Sequence, residues 1–202
     1  PWKGTEYSID FEEEVYSVNA GINLDFDTDN FRFSYTSLTT PVSTFDYNLS
    51  TKERKLLKQQ EVLGGFDKNN YETKRIYATA GDGTKVPISI VYRKGLDKNG
   101  NNPTLIYGYG SYGYEMEPSF RLSVLPLLDR GFIYAIAHIR GGQIYGRKWY
   151  DDGKLLKKMN TFTDFNDCTK FLIDEKYTNS GKLFAMGGSA GGLLMGACVN
   201  LK

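Results

Sequence analysis

The stretch "LFAMGGSAGGLLMG", residues 183–196, decides the fold. A short apolar segment runs into the glycine-rich turn "GGSAG", residues 187–191, and an apolar helical pattern begins immediately afterwards. This is the pattern G-x-S-x-G between a strand and a helix, the context in which a tight turn presents a nucleophilic serine. The stretch therefore predicts a strand–turn–helix unit with Ser189 at its tip.

Each residue type in this turn has a physical reason. A sharp turn holds the serine in a strained conformation, and side chains beside it would collide, which explains Gly187 and Gly191 and makes Gly188 part of the same turn. The backbone N–H of Ala190 is expected to point at a carbonyl oxygen, where the N-terminus of the helix favours negative charge. The alternative is a glycine-rich turn that binds a phosphate or nothing, but no lysine follows as in a P-loop.

From residue 71 onward, strands are expected to alternate with helices. The predicted strands are "YETKRIYATA" and "KVPISIVYRK" as a hairpin around "GDG", then "TLIY", "FIYAIA" and "KLFAM". Helices are predicted at residues 121–131, 160–177 and 190–201, the second with a cap formed by Thr161 and Asp164. Such alternation is typical of an α/β fold with a mostly parallel sheet and helices on both faces.

The first 66 residues predict strands only. Alternation places aromatic and apolar side chains on one face of two strands, namely Phe31, Phe33 and Tyr35, then Phe45, Tyr47 and Leu49. Such a meander cannot bury its faces alone, so it is typical of one blade of a propeller or of part of a sandwich. The Gly/Asp/Asn-rich stretch "VLGGFDKNNY", residues 62–71, is suited to a linker.

A second glycine motif, "TLIYGYGSYG" at residues 104–113, fits the dinucleotide-binding pattern G-x-G-x-x-G. Such a turn needs a helix at its third glycine, but Pro118 would disrupt that helix. The next strand is followed by Arg140 and not by an acid that could bind a ribose. We therefore expect the glycines to let this loop approach the serine turn, with a phenol from Tyr109 or Tyr107 facing the oxyanion.

Composition excludes several classes of function. The chain of 202 residues has 25 basic and 24 acidic residues, a net charge of +1, which argues against a nucleic-acid partner. The N-terminal sequence has no leader pattern and no apolar run approaches bilayer length, so no membrane association is expected. Cys168 and Cys198 are predicted to be buried thiols, which is typical of a reducing compartment and favours a cytoplasmic protein. No cluster has metal-site spacing, and no metal or organic cofactor is expected.

The sequence lacks obvious partners for the serine. Nucleophilic serines of this type use an aspartate and then a histidine further along the chain, and the 13 residues after Ser189 contain neither. The single histidine, His138, lies upstream and is expected to be a satisfied core or rim residue. Acids that precede the turn are expected to be loop or capping charges: Asp151, Asp152, Asp164 and Asp167.

Taken together, these motifs resemble the prolyl oligopeptidase family of serine peptidases, and within it the oligopeptidase B branch. The resemblance includes "LIYGYGSYG", "LLDRGFIYAIAHIRGG", "WYDDGKLLKKMNTFTDF" and "AMGGSAGGLLMG". It implies that residues 1–70, with a linker from about residue 64, are the C-terminal part of a β-propeller. It also implies that residues 71–202 are the N-terminal part of an α/β-hydrolase catalytic domain, up to the helix after the nucleophile.

The resemblance also implies roles for residues. Ser189 would be the nucleophile, and the Ala190 N–H and the Tyr109 hydroxyl would form the oxyanion hole. Glu117 would help to bind basic substrate residues, while Ser119 stands where a second acid is expected. Glu115 and Glu117 have the alternative interpretation of solvated loop charges.

The resulting hypothesis is a cytoplasmic serine oligopeptidase that cleaves short peptides after Arg or Lys. The remainder of its catalytic domain would come from sequence outside this chain, and the 202-residue piece alone is predicted to be inactive. One alternative is an esterase or acylaminoacyl hydrolase on the same fold. Another is a non-catalytic fragment or pseudoenzyme, and a nicotinamide-dependent oxidoreductase ranks last.

Overall fold

Two β-sheets follow one another along the chain in the computed structural model, which describes residues 6–201. The first sheet is a meander of four antiparallel strands in chain order. Its strands are β1 (Tyr16–Ala20), β2 (Asn30–Ser37), β3 (Ser43–Asn48) and β4 (Arg54–Gln59). The predicted meander is therefore present. The positions of β1 and β4 were not predicted individually, since neither shows a clear alternation of apolar and polar residues.

Aromatic side chains form the core of the first sheet. Phe33 on β2 lies opposite Phe45 on β3, and their rings stack with centroids 5.5 Å apart. Phe33, Tyr35 and Tyr47 are buried, as the alternation predicted. The prediction for Leu49 was wrong, because β3 ends at Asn48 and the side chain of Leu49 is exposed in the turn that follows.

The second sheet has five strands in the order β5-β6-β8-β7-β9. They are β5 (Tyr71–Thr79), β6 (Lys85–Arg93), β7 (Thr104–Tyr107), β8 (Ile133–Ala137) and β9 (Leu183–Met186). Strand β7 pairs in parallel with β8 and with β9, whereas the β5–β6 hairpin joins β8 in antiparallel register. The sheet is therefore mixed, and its parallel part is the part that carries the serine turn.

Helices cover both faces of this second sheet. They are α1 (Leu125–Leu128), α2 (Arg147–Asp151), α3 (Met159–Asp174) and α4 (Ala190–Asn200). On one face α3 and α4 bury Phe165, Leu172 and Leu194 against Ile88, Ile90 and Ile106. On the other face α1 packs with Tyr134 and Ile136, together with Val15 and Leu38 from the first 70 residues. Segments that flank β1 and β2 therefore pack into the core of the second sheet, whereas the aromatic cluster of the first sheet is separate.

Two predicted helices differ from the expected form. The helix predicted at residues 121–131 contains only the four residues of α1, with Pro126 in its first turn, and Gly131 ends the segment at a φ of +83°. In α3, Lys158 precedes the helix without a side-chain cap, and Thr161 lies inside it. The predicted cap was wrong because the Thr161 hydroxyl donates instead to the carbonyl oxygens of Arg140 and Gly153.

Strand β9 lies at the edge of the described sheet and is not a buried strand, contrary to expectation. Phe184 and Met186 expose 50% and 44% of their surface, and Leu193 and Val199 on α4 are also exposed. This side of the sheet is thus open because β9 pairs with β7 alone among the strands of residues 6–201.

Both cysteines are buried as thiols. Complete burial raises the pKa of the Cys168 thiol, and the Cys198 sulfur donates to the carbonyl oxygen of Phe162 at 3.6 Å. Among residues 6–201, none of the helices combines the length and the apolar character needed to cross a membrane.

Candidate active site

The serine turn connects β9 to α4 over three residues. Ser189 immediately precedes α4, has a φ of +54° and a ψ of −118°, and is exposed to solvent. A positive φ is unfavourable for a residue with a Cβ atom, and it persists only where the surrounding structure imposes it. The turn therefore holds the Ser189 side chain at the surface in a strained backbone conformation.

Glycine is required at two positions of this turn. A Cβ atom on Gly187 would lie 2.5 Å from the Gly191 carbonyl oxygen, and one on Gly191 would lie 2.7 Å from the Gly108 carbonyl oxygen. A Cβ atom on Gly188 would meet no atom within 4 Å. Close backbone packing thus accounts for Gly187 and Gly191, and no close contact accounts for Gly188.

The N-terminus of α4 offers a backbone donor beside Ser189. The N–H groups of Gly191 and Gly192 donate to the carbonyl oxygens of Gly188 and Ser189, at 2.7 and 2.8 Å. The Ala190 N–H, at the first helical position, has no acceptor within its own helix. Since the helix dipole favours negative charge at this end, this N–H is suited to bind an oxyanion.

The glycine loop, residues 108–113, lies against the serine turn. The Gly108 N–H donates to the Met186 carbonyl oxygen at 3.1 Å, at the end of β9. A Cβ atom on Gly108 would lie 2.7 Å from the Phe165 ring and 2.8 Å from Leu194. No helix begins at Gly113, and the next helix is α1, so the loop lacks the helix that a dinucleotide-binding turn requires.

Tyr109 is the phenol that this loop brings to the serine turn. Its Cδ2 atom lies 3.7 Å from the Cβ position of Gly191. Its ring packs edge-on against Tyr114, with centroids 5.6 Å apart. Tyr107, the other candidate, instead packs under the Arg121 guanidinium at 5.5 Å. Of the two tyrosines, Tyr109 therefore lies at the turn that carries Ser189.

A cavity of about 500 Å³ opens beside the serine turn. Ala190 and Leu193 form one wall, and Tyr112, Tyr150, Lys154 and Lys158 contribute to the others. Within residues 6–201, no three His, Cys, Asp or Glu side chains are grouped as a metal site would require. The site thus combines an exposed hydroxyl, a helix N-terminus and an aromatic-lined space.

Two family models match the chain. Residues 2–60 match the prolyl oligopeptidase N-terminal β-propeller domain, and residues 118–202 match the prolyl oligopeptidase family. The chain belongs to the prolyl oligopeptidase family. The first sheet is thus propeller-type structure, and it precedes the catalytic region of the family.

Several relatives in the prolyl oligopeptidase family are similar over nearly the whole chain. Dipeptidyl aminopeptidase BI of Pseudoxanthomonas mexicana is 51% identical over 98% of this chain and 27% of its own length. Protease 2 of Moraxella lacunata is 43% identical over 98% of this chain and 29% of its own length. The chain therefore spans less than a third of the length of these relatives.

Solved structures of oligopeptidase B are similar as well. The enzyme from Leishmania major superposes with a TM-score of 0.88 at 46% identity, covering 96% of this chain and 27% of that one. The closed form from Trypanosoma brucei with covalently bound antipain gives the same TM-score and identity, over 96% of this chain and 28% of that one.

His138 is not placed to assist Ser189 in this member of the prolyl oligopeptidase family. Its side chain is buried, with Nε2 2.7 Å from the Ser89 hydroxyl and Nδ1 2.9 Å from a Glu115 carboxylate oxygen. Burial lowers the pKa of His138. The three groups are ordered like a catalytic triad, but Ser89 has no solvent exposure, so no substrate reaches it. His138 is a satisfied core residue, as expected.

The acids near the glycine loop have different environments. Glu115 was given the alternative interpretation of a solvated loop charge, which is wrong because its carboxylate binds buried His138. Glu117 is exposed and accepts a hydrogen bond from the Asn19 side chain of β1 at 3.3 Å. Among the described basic residues, none forms an ion pair with Glu117. Its carboxylate is therefore open to a cation from outside.

The acids of α3 serve structure. Asp164 is fully buried, and both its oxygens accept hydrogen bonds from the Arg140 guanidinium, which also binds Asp82. The hydrogen bond from Arg140, with further hydrogen bonds from Thr84, lowers the pKa of Asp82 to about 2. Asp167 accepts from the Gly81 N–H at 3.0 Å. The capping role expected for Asp164 and Asp167 was therefore wrong, because both tie α3 to neighbouring loops. Sequence reasoning missed this role of Arg140, whose position after a buried strand was its only signal.

Proposed function

We propose that this segment carries the nucleophile and the oxyanion-binding groups of a serine peptidase that acts on short peptides. One observation supports this most directly. Ser189 is exposed at a positive φ, between a helix N-terminus and the loop that holds Tyr109. A turn with a purely structural role does not need a residue that is both strained and exposed. A tight turn that presents a nucleophilic serine, known as a nucleophile elbow, needs both.

In the proposed mechanism, the Ser189 oxygen attacks the scissile carbonyl carbon while its proton passes to a general base. The negative charge on the carbonyl oxygen is stabilised by the Ala190 N–H and the Tyr109 hydroxyl. The C–N bond then breaks, the base returns the proton to the leaving amine, and an acyl-enzyme remains on Ser189. Water, activated by the same base, hydrolyses that ester and restores the hydroxyl.

We propose that the base and its orienting carboxylate come from a part of the enzyme outside this segment. The single histidine of the chain, His138, has both ring nitrogens occupied in the core. The open edge of β9 and the exposed side chains of Phe184 and Leu193 support further structure packing on this side. Residues 1–70 are then the end of the propeller, and residues 71–202 the start of the catalytic domain.

The proposed substrates are short peptides cleaved after Arg or Lys. Glu117 supports this preference because its carboxylate is exposed and pairs with no described cation. A propeller beside the catalytic domain would restrict access to small peptides. We also propose a cytoplasmic location, which the two buried thiols support.

A second candidate is a dipeptidyl peptidase, and it is favoured by the 51% identity to a dipeptidyl aminopeptidase. The two functions differ in what they require of the substrate N-terminus. A dipeptidyl peptidase needs a free amine two residues before the scissile bond, whereas an endopeptidase accepts a blocked one.

The test uses the complete protein that carries this segment. Peptide amides with Arg, Lys or Ala before the scissile bond are assayed with free and with blocked N-termini, beside the Ser189→Ala variant. Serine-dependent cleavage of blocked Arg and Lys peptides supports the first candidate, and cleavage of free dipeptidyl substrates alone supports the second. Cleavage that persists in Ser189→Ala contradicts both. The isolated 202-residue segment is expected to hydrolyse these peptides negligibly.

A further inference from the structure

Lys158 is a half-buried cation that lies beside the glycine loop. Its Nζ donates to the Gly110 carbonyl oxygen at 2.5 Å and to the Ser111 hydroxyl at 2.7 Å. No carboxylate of residues 6–201 forms an ion pair with it, although neighbouring Lys154 and Lys157 pair with Asp151 and Asp152. A buried ammonium is normally paired with an acid, because desolvation disfavours its charge. The hydrogen bonds to the loop, with the Phe162 ring centroid 5.8 Å from Nζ, are therefore the interactions that offset its burial.

The glycine loop depends on outside contacts for its shape. Gly110, Tyr112 and Gly113 all have positive φ angles, between +59° and +66°. The Gly108 N–H donates to the Met186 carbonyl at 3.1 Å at the start of the loop. At its end, the Gly113 N–H donates to the Gly141 carbonyl and the Tyr114 N–H to the Ser111 carbonyl, both at 3.0 Å. Lys158 binds Gly110 and Ser111, which lie between the end of β7 and Gly113.

The Gly110 carbonyl is itself enclosed. A Cβ atom on Gly141 would lie 2.2 Å from its oxygen, so the backbone of residue 141 packs directly on it. Gly110 and Ser111 are both buried. A buried carbonyl needs a donor, and Lys158 supplies one. Without that donor, the carbonyl is expected to rotate toward solvent. The backbone of Tyr109, the preceding residue, is then expected to shift as well.

We propose that Lys158 is a positioning residue that holds the Tyr109 phenol at the oxyanion site by fixing Gly110 and Ser111, the two residues that follow it. The inference rests on the proposed function, in which the Tyr109 hydroxyl stabilises the tetrahedral intermediate. An oxyanion donor works only over a narrow range of distance, about 2.7–3.1 Å. A loop that shifts by roughly 1 Å therefore loses much of the catalytic effect, on the order of 100-fold. Lys158 acts through Tyr109 and does not itself touch the reacting atoms.

A comparison of Lys158 variants with and without Tyr109→Phe distinguishes a role in positioning Tyr109 from a general role in stability. In the complete enzyme, Lys158→Met is expected to lower kcat roughly 10- to 100-fold with little change in KM, because transition-state binding is what the loop supplies. In the Tyr109→Phe background the same substitution is expected to change kcat by less than about threefold, since coupled residues are not additive. Lys158→Arg, which keeps charge and donors, is expected to retain most of the activity.

Lys157→Met is the matched control, because Lys157 is adjacent, exposed and paired with Asp152 away from the loop. It is expected to leave kcat unchanged. Equal losses from Lys158→Met in both backgrounds would show a structural role and overturn the inference, as would an unchanged kcat. If Lys158→Met does not fold, an inactive but folded Lys158→Arg also overturns it. A wild-type enzyme that shows no Ser189-dependent hydrolysis contradicts the proposed function, and the inference with it.

Discussion

Gly191 at the start of α4 packs directly against the carbonyl oxygen of Gly108, so that a Cβ atom on Gly191 would lie only 2.7 Å from that oxygen. This contact joins the helix that follows Ser189 to the loop that carries Tyr109. The segments that carry Ser189 and Tyr109 are thus held together by contact between backbone atoms, which are less mobile than side chains. Two glycines make this approach possible, Gly191 in α4 and Gly108 in the loop that follows β7.

Gly191→Ala is therefore expected to push the glycine loop away from α4. Overpacking of this kind costs about 1–3 kcal/mol of folding free energy. We expect a lower melting temperature and a reduced kcat in the complete enzyme. Gly192→Ala is the matched control, because a Cβ atom there meets no atom within 4 Å. Alanine stabilises a helix relative to glycine by about 1 kcal/mol, so this control should be neutral or stabilising. Equal damage from both substitutions would contradict the assigned contact.

Tyr109→Phe tests the proposed oxyanion role without altering the packing. The ring remains edge-on to Tyr114, and only the hydroxyl is lost. Removal of one oxyanion donor is expected to reduce kcat by about 10²–10³-fold, with KM and thermal stability nearly unchanged. Steady-state kinetics on a peptide amide provide the measurement. Tyr145→Phe, at an exposed tyrosine that packs on Trp149, is the control and should leave kcat unchanged. A Tyr109→Phe enzyme with normal kcat would place the phenol outside the mechanism.

The local features of the fold were predictable because they depend on neighbours in sequence. The strand–turn–helix around Ser189 follows from glycine positions and apolar patterning within 14 residues. The hairpin of β5 and β6 and the aromatic meander follow from alternation and turn residues. The glycine loop was distinguished from a dinucleotide turn by Pro118, which interrupts the helix such a turn would need, and by Arg140 in place of an acid after the next strand.

The rest could not be predicted, because it depends on contacts between distant segments. Thr161 and Asp164 have the spacing of a helix cap, but both side chains turn to the loop of Arg140, 21 and 24 residues away. Glu115 binds His138 over a similar separation. Strand β9 was expected to be buried because its residues are apolar, yet it lies at the edge of the described sheet. The apolar composition of a strand predicts that it is buried, but it does not identify the segments that pack against it.

Asp164→Asn is expected to destabilise the fold strongly. The carboxylate is fully buried and binds the Arg140 guanidinium through both oxygens. Removing one partner of a buried pair costs about 3–5 kcal/mol, and Arg140 would then keep only its ion pair with the half-exposed Asp82. Asp151→Asn, which removes exposed pairs with Arg147 and Lys154, should cost at most about 1 kcal/mol per pair. Denaturation in urea measures both. Similar midpoints for the two variants would show that the Arg140 pair contributes no more than a surface pair.

The free energy of unfolding is expected to decrease as the pH is lowered, because His138 becomes charged in the unfolded chain. Burial lowers the pKa of His138 in the fold, whereas the unfolded residue titrates near 6.5. Below about pH 6.5 the unfolded state binds more protons than the folded state, so the free energy of unfolding decreases as pH falls. The decrease ends once the pH is below the folded-state pKa. Glu115 and Arg75 are the charged groups that act on the imidazole.

His138→Asn removes this titration and keeps a side chain that can donate to Glu115. Urea unfolding of both proteins between about pH 5 and 7.5 measures the difference in stability. We expect the advantage of the wild-type protein over the variant to shrink as pH falls through this range. A difference that does not change with pH would mean that His138 is not held neutral in the fold.

Covalent labelling tests most directly whether Ser189 is the nucleophile. The complete enzyme is treated with a fluorophosphonate, which reacts with activated serine hydroxyls, and the modified peptide is mapped by mass spectrometry. We expect one adduct, on Ser189, absent from the folded Ser189→Ala variant. An adduct on another serine, or peptide hydrolysis that continues undiminished in Ser189→Ala, would contradict the account.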